Sequence, residues 1–137
     1  GRAWRMNRAK AFASREEEDI LYSDSDLLVP ENLLTKLPQH GMSVFGARVP
    51  NADNSGYLEA AGEVLSPSVM KVPILSSQLI AIPRSMLDRF QWKTGAYRIG
   101  VFSAQDYYFA ETMLAFSNLY MFTDTGVSRV LRGGVPS

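Results

Sequence analysis

There is no cysteine in this 137-residue chain, and only one histidine. The first absence excludes disulfide scaffolding, thiolate nucleophiles and cysteine-bound zinc, and it leaves the redox compartment unread. The second leaves His40 as the sole imidazole for a triad or zinc site, and its Pro38-Gln39-His40-Gly41 setting reads as an exposed turn. Net charge is also lacking. Fourteen basic and fourteen acidic residues cancel, so no global field draws the chain to nucleic acid or anionic lipid. No apolar run approaches the roughly 18–20 residues of a membrane helix, so membrane insertion is not expected. Glycine-rich phosphate loops, metal-ligand clusters and catalytic signatures are missing too. The chain opens on Gly1 rather than methionine, which reads as an excised fragment or a tag remnant; localisation then defaults to cytoplasmic.

What remains is an ordinary globular composition, 46% hydrophobic and 20% charged, long enough for one domain with a real core. Residues 1–20 read as an N-terminal arm or helix, and residues 21–137 as a single domain. Arg2, Arg5, Arg8, Lys10 and Arg15 precede Glu16-Glu17-Glu18-Asp19, so a basic arm reaching a polyanion would have its field partly cancelled. Ser14, with acids behind it, could cap a short helix running to about Leu21. Tyr22-Ser23-Asp24-Ser25-Asp26 reads as a turn. Its two aspartates suggest a cation, but the further acids and glycine of a calcium loop are absent.

From there the chain spells one pattern twice. Leu27-Leu28-Val29 is a short strand. Pro30 opens a helix carrying Leu33, Leu34 and Leu37 on one face, Gly41 stops it, and Ser43–Val49 alternates as a strand. Asn51-Ala52-Asp53-Asn54-Ser55-Gly56 turns, Tyr57 to Leu65 returns with a candidate bulge at Gly62, and Val69 to Ile74 forms an edge strand at Pro73. Then Leu79–Ile82 leads to Pro83, 53 residues after Pro30, and to Met86, Leu87 and Phe90 at matching offsets. Gly95 matches Gly41. Tyr97 to Phe102 alternates, Gln105-Asp106 turns, Tyr108 to Phe116 returns, Asn118 to Thr123 is a strand, and Val127 to Arg132 adds an edge segment. The repeat units are about 21–75 and 76–137.

The second unit, with Ile82-Pro83-Arg84, Leu87 and Lys93-Thr94-Gly95, resembles the core of AbrB-type swapped-hairpin domains. Phe90, Trp92 and Ala96 depart from the pattern, and the glycine-arginine lead-in is absent. The resemblance covers about 20 residues. It implies membership in the cradle-loop, double-psi-like barrels, here as an internally duplicated single chain. The expected fold class is mainly β with short helices (α+β): a pseudo-two-fold small barrel from two β-α-β units, its ends plugged by the two helices.

In that family, basic residues near the strand-helix junction contact DNA, which makes Arg84, Arg89, Lys93 and Arg98 the tentative nucleic-acid-binding set. Against this, Arg84 and Asp88 are spaced to pair on one helix turn. Glu59 and Glu63 offer a carboxylate pair, though with no identifiable partner. Tyr107, Tyr108, Phe109, Phe116, Tyr120 and Phe122 read as core, because the charges near them are acidic. No catalytic residue, metal ligand or cofactor is assigned. The expectation is a non-enzymatic binding module, DNA-binding and regulatory. The first alternative is a protein-interaction or assembly subunit of a phage, plasmid or secretion apparatus, with a protein partner or homo-oligomer. It draws on the net charges of the three segments, +1 over residues 1–20, −3 over 21–75 and +2 over 76–137. The second alternative is a small-ligand-binding barrel.

Overall fold

The computed structural model describes residues 2–37, 43–95, 98–99, 102–131 and 135–136. Its backbone is an open, mixed six-stranded sheet built on Leu79–Ile82. These four residues form strand β8, and all four are buried. A continuous apolar strand of this kind needs both faces covered. Ile80 and Ile82 point into one core; Leu79 and Ala81 point into the other. Period-two alternation thus serves two cores rather than one core and solvent.

The sheet order is β1 (Ile20–Ser23), β8, β3 (Val44–Ala47), β11 (Leu119–Phe122), β7 (Val69–Val72), β6 (Glu63–Ser66). All neighbours are antiparallel except β3 and β11, which run parallel with Val44 opposite Leu119. Strands β1, β3 and β11 therefore point the same way, and their carboxyl ends share one edge. There, Asp24 N–H donates to the Gln78 carbonyl at 2.8 Å and Arg48 N–H to the Phe122 carbonyl at 2.8 Å. Smaller pairings flank the sheet: β2 (Leu27–Leu28) with β12 (Ser128–Leu131), β4 (Val49–Pro50) with β5 (Tyr57–Leu58), β9 (Arg98–Ile99) with β10 (Phe102–Ser103), and β13 (Val135–Pro136) beside β12.

Helix α1 (Arg2–Arg15) lies over one face, burying Met6, Lys10 and Ala13, one turn apart on one side of the helix. With it are helix α3 (Ala104–Met113) and a 3-10 helix, Arg84–Arg89. Leu87, Phe90, Trp92, Phe109 and Met113 fill the space between them and the sheet. Trp92 stacks on Phe109 at 4.7 Å, and Phe90 meets both rings edge-on. The opposite face is covered by α2 (Glu31–Lys36) through Leu33, and by Leu37, Leu27 and Val127.

The mainly β, α+β class holds, but no closed barrel is present among the described residues, and the likeness to swapped-hairpin barrels is overturned. Both proline-opened segments exist, yet the first is an α-helix and the second a 3-10 helix. Their continuations diverge. The first unit returns through short strands; the second returns through α3, where a strand was expected over Tyr108 to Phe116. The deciding residues are Ser103 and Asp106. Ser103 Oγ accepts the Asp106 N–H and the Asp106 carboxylate accepts the Ser103 N–H, a reciprocal cap that nucleates a helix where Gln105-Asp106 had read as a turn.

Three smaller expectations also change. Ser14 does not start a helix; α1 ends at Arg15, and Ile20 already belongs to β1, whose partner β8 needs that register. Strand β7 stops before Pro73 and is interior, flanked by β11 and β6. The irregularity in β6 falls between Val64 and Ser66, not at Gly62.

Candidate functional site

The carboxyl edge of β1, β3 and β11 carries a hydrogen-bonded cluster of polar side chains. Asp24 follows β1 directly and Asp26 lies one turn further on. Ser76, Ser77 and Gln78 lead into β8, and Arg129 projects back from β12.

Arg129 is the hub of this cluster. Its guanidinium donates to Asp26 at 2.9 Å, to the Pro50 carbonyl at 3.0 Å and to the Gln78 side-chain oxygen. Its backbone is held by Asn54, whose amide exchanges two hydrogen bonds with the Arg129 N–H and carbonyl at 3.0 and 2.9 Å. Asn54 can do this because it adopts a left-handed conformation, φ 61°, which asparagine tolerates. The turn over Asn51–Gly56 is thus both a connection and a clamp.

Arg2, at the start of α1, is the second cation. One of its nitrogens donates to Asp24 at 2.9 Å and to the Ser77 carbonyl at 3.0 Å. Asp106 receives the Ser77 N–H at 2.9 Å while capping α3. Gln105 reaches the Ser77 hydroxyl at 3.3 Å. Two cavities open among these groups. One of about 300 Å³ is lined by Arg2, Arg5, Met6, Tyr22, Asp24 and Ser25. The other, about 260 Å³, is lined by Arg2, Leu58, Gln78, Ser103, Asp106 and Arg129. Arg2 borders both.

The electrostatics follow from crowding. Burial pushes the Asp24 carboxyl above its ordinary range; Arg2 opposes the shift, and Asp26 and Asp106 add to it. Tyr22, beside the larger cavity, donates to the Met6 carbonyl at 2.7 Å and accepts from the Trp92 indole at 3.1 Å; burial pushes its hydroxyl up to about 12. Asp24 and Asp26 could together offer carboxylate oxygens to a cation. Among the described residues, however, no three or more His, Cys, Asp or Glu side chains gather as a metal site.

The basic set chosen from sequence lies elsewhere, on and after the 3-10 helix. Arg84 pairs with Asp88 at 3.1 Å, as their spacing predicts, and also donates to the Ser14 carbonyl at 3.1 Å. Arg89 lies over the Phe116 ring at 4.9 Å, and Lys93 is exposed. Arg98 is in β9, with its side chain outside what is described; His40 lies outside the described residues altogether. Glu59 and Glu63 are not a pair. Glu59 meets Arg48 at 2.9 Å and Glu63 meets Lys71 at 3.4 Å. Of the aromatic set, Phe109 and Phe122 are buried, while Tyr107 and Phe116 are exposed. Sequence reading had singled out the Asp24/Asp26 turn but missed Arg2, Gln78, Asp106 and Arg129. The one available signal was the Ser103/Asp106 capping spacing, which would have placed Asp106 at a helix start.

No protein-family model matches the chain, and no curated protein sequence matches it. Among solved structures, the crystal structure of A197 from STIV is similar, with a TM-score of 0.65 and 15% identity over 94% of this chain and 67% of that one. That fold is not a swapped-hairpin barrel, and at this identity the likeness concerns fold alone.

Proposed function

We propose that the chain binds a small polar ligand in the cleft between Arg2, Asp24, Gln78 and Arg129. The observation that carries this reading is the pair of adjoining cavities at the carboxyl edge of β1, β3 and β11, lined by both cations and carboxylates. The ligand carries an anionic group for the arginines and hydroxyl or ammonium donors for Asp24 and Asp106, the carboxylates that line the two cavities. Their combined size suits a molecule of metabolite dimensions rather than a polymer. The test is an amide NMR titration with a panel of phosphorylated and zwitterionic metabolites. A binder should move the signals of residues 22–26, 77–79 and 103–106 together. If no compound moves them at millimolar concentration, the reading fails.

A second reading, contact with a protein partner, is favoured by a row on the outside of α1. Trp4 is 60% exposed and Phe12 57%, with Arg8 over the Trp4 ring. Light scattering over a concentration series, with and without Trp4→Ser, would test self-association through this row. Duplex contact through Arg84, Arg89, Lys93 and Arg98 has less behind it, because Arg84 is already engaged by Asp88 and Ser14.

A further inference from the structure

Arg2 stands in an unusual place for a residue that binds a ligand. It borders both cavities, and its guanidinium is already tied to Asp24 and to the Ser77 carbonyl. Its side chain remains about one third exposed, as does that of Asp24, so neither group is locked in by packing. Arg129, which lines the smaller cavity together with Arg2, is different: it is bound on three sides and its side chain is 9% exposed. Of the two, only Arg2 can change partners without dismantling the cluster.

From this geometry we infer that the Arg2–Asp24 ion pair is a movable partition: an anionic group entering the cleft takes the Arg2 guanidinium from Asp24 and joins the two cavities into one. This rests on the proposed ligand site and adds a competition to it. Asp24 is an internal rival for the same cation, so it holds the empty cleft divided and weakens anion binding. The groups facing Asp24 are Arg2, Arg129, Asp26 and Asp106. Two are like-charged, so an Asp24 that loses Arg2 keeps only Arg129 against two carboxylates and takes up a proton more readily. Anion binding and protonation of Asp24 are therefore linked with a definite sign: each favours the other.

The probe is inorganic phosphate, and the comparison is wild type against Asp24→Asn, with Arg2→Ala as control. Asp24→Asn should bind phosphate about fivefold or more tighter, since no carboxylate then holds the guanidinium. Arg2→Ala should abolish the difference. In wild type, phosphate should raise the Asp24 carboxyl titration followed by carbon-detected NMR. A second measurement needs no ligand. In Asp24→Asn the Arg2 Nε–H signal should become markedly more mobile than in wild type. The inference is overturned if Asp24→Asn binds phosphate no tighter, or if the Arg2 side chain is equally ordered in both proteins. Either result leaves the cleft reading standing if the metabolite panel still moves residues 22–26. A silent panel would instead refute that reading.

Discussion

Replacing Arg129 with alanine should destabilise the protein by about 3 kcal/mol, and the reasoning is local enough to be tested cleanly. The Arg129 guanidinium serves three acceptors of unequal exposure. Asp26 is half exposed and regains water when its partner leaves, so its loss is worth under about 1 kcal/mol. The Pro50 carbonyl is less fortunate, since Pro50 is buried, while the half-buried Gln78 amide oxygen lines the cleft and regains water only in part. Each acceptor left unpaired costs about 1–3 kcal/mol where water cannot follow. Truncating arginine to alanine admits some water, so the total falls between one such penalty and two. The Asn54 clamp uses Arg129 backbone atoms and survives the substitution, which keeps the perturbation at the side chain. Urea unfolding should show a midpoint lowered by about 1–2 M with an unchanged slope. Asp26→Ala is the contrast and should cost under about 1 kcal/mol. The argument is refuted if Arg129→Ala costs under 1 kcal/mol, or if Asp26→Ala costs as much. The first result would mean that water satisfies the acceptors once the arginine is gone; the second would mean that the energy lay in the exposed ion pair.

Leu87 is fully buried among Phe90, Trp92 and Met113, so Leu87→Ala should cost about 2–5 kcal/mol by calorimetry or urea titration. Tyr22 should ionise late, because burial holds its phenol neutral and pushes its pKa up to about 12. An acid with a raised folded pKa keeps its proton more firmly in the native state, so its stabilising share is intact below about 10 and is lost as pH climbs towards 12. Phenolate absorbance should show one late step among the six tyrosines, and Tyr22→Phe should remove it. At Gly62 an added Cβ would run into the Lys71 carbonyl oxygen, backbone that cannot swing aside. Gly62→Ala should therefore loosen the β6–β7 pairing, seen as faster amide exchange over residues 63–72, while the β1–β8 amides keep their protection.

The fold was legible in sequence where a residue's local chemistry decided its conformation, and illegible where a distant partner decided it. Pro30 and Pro83 open helical turns because proline fixes its own backbone, and the turn at Asn51–Gly56 forms because Asn51 caps it within five residues. Leu79–Ile82 read as a strand on composition alone. What composition could not supply was its neighbours, β1 from far upstream and β3, because antiparallel pairing registers over long separations leave no local mark. The repeat misled for the same reason. Two prolines with matching apolar faces fix two turns of chain, but not whether the chain then returns as strand or helix. Ser103 and Asp106 made that choice in the second unit. The polar cleft lay further still from view. Arg129 meets Asp26 across 103 positions and Gln78 across 51, and Arg2 meets the Ser77 carbonyl across 75. Each of these residues is individually unremarkable as surface charge. Only the shared edge of β1, β3 and β11 gathers them, and a site assembled by strand direction has no spacing to recognise. Arg84, Arg89 and Lys93 lie close in sequence and formed an obvious set, yet the fold gives Arg84 an internal carboxylate and Arg89 an aromatic ring. In this chain, proximity along the sequence marked cations engaged within one small surface region. The cations that reach across the molecule are the ones that enclose a volume.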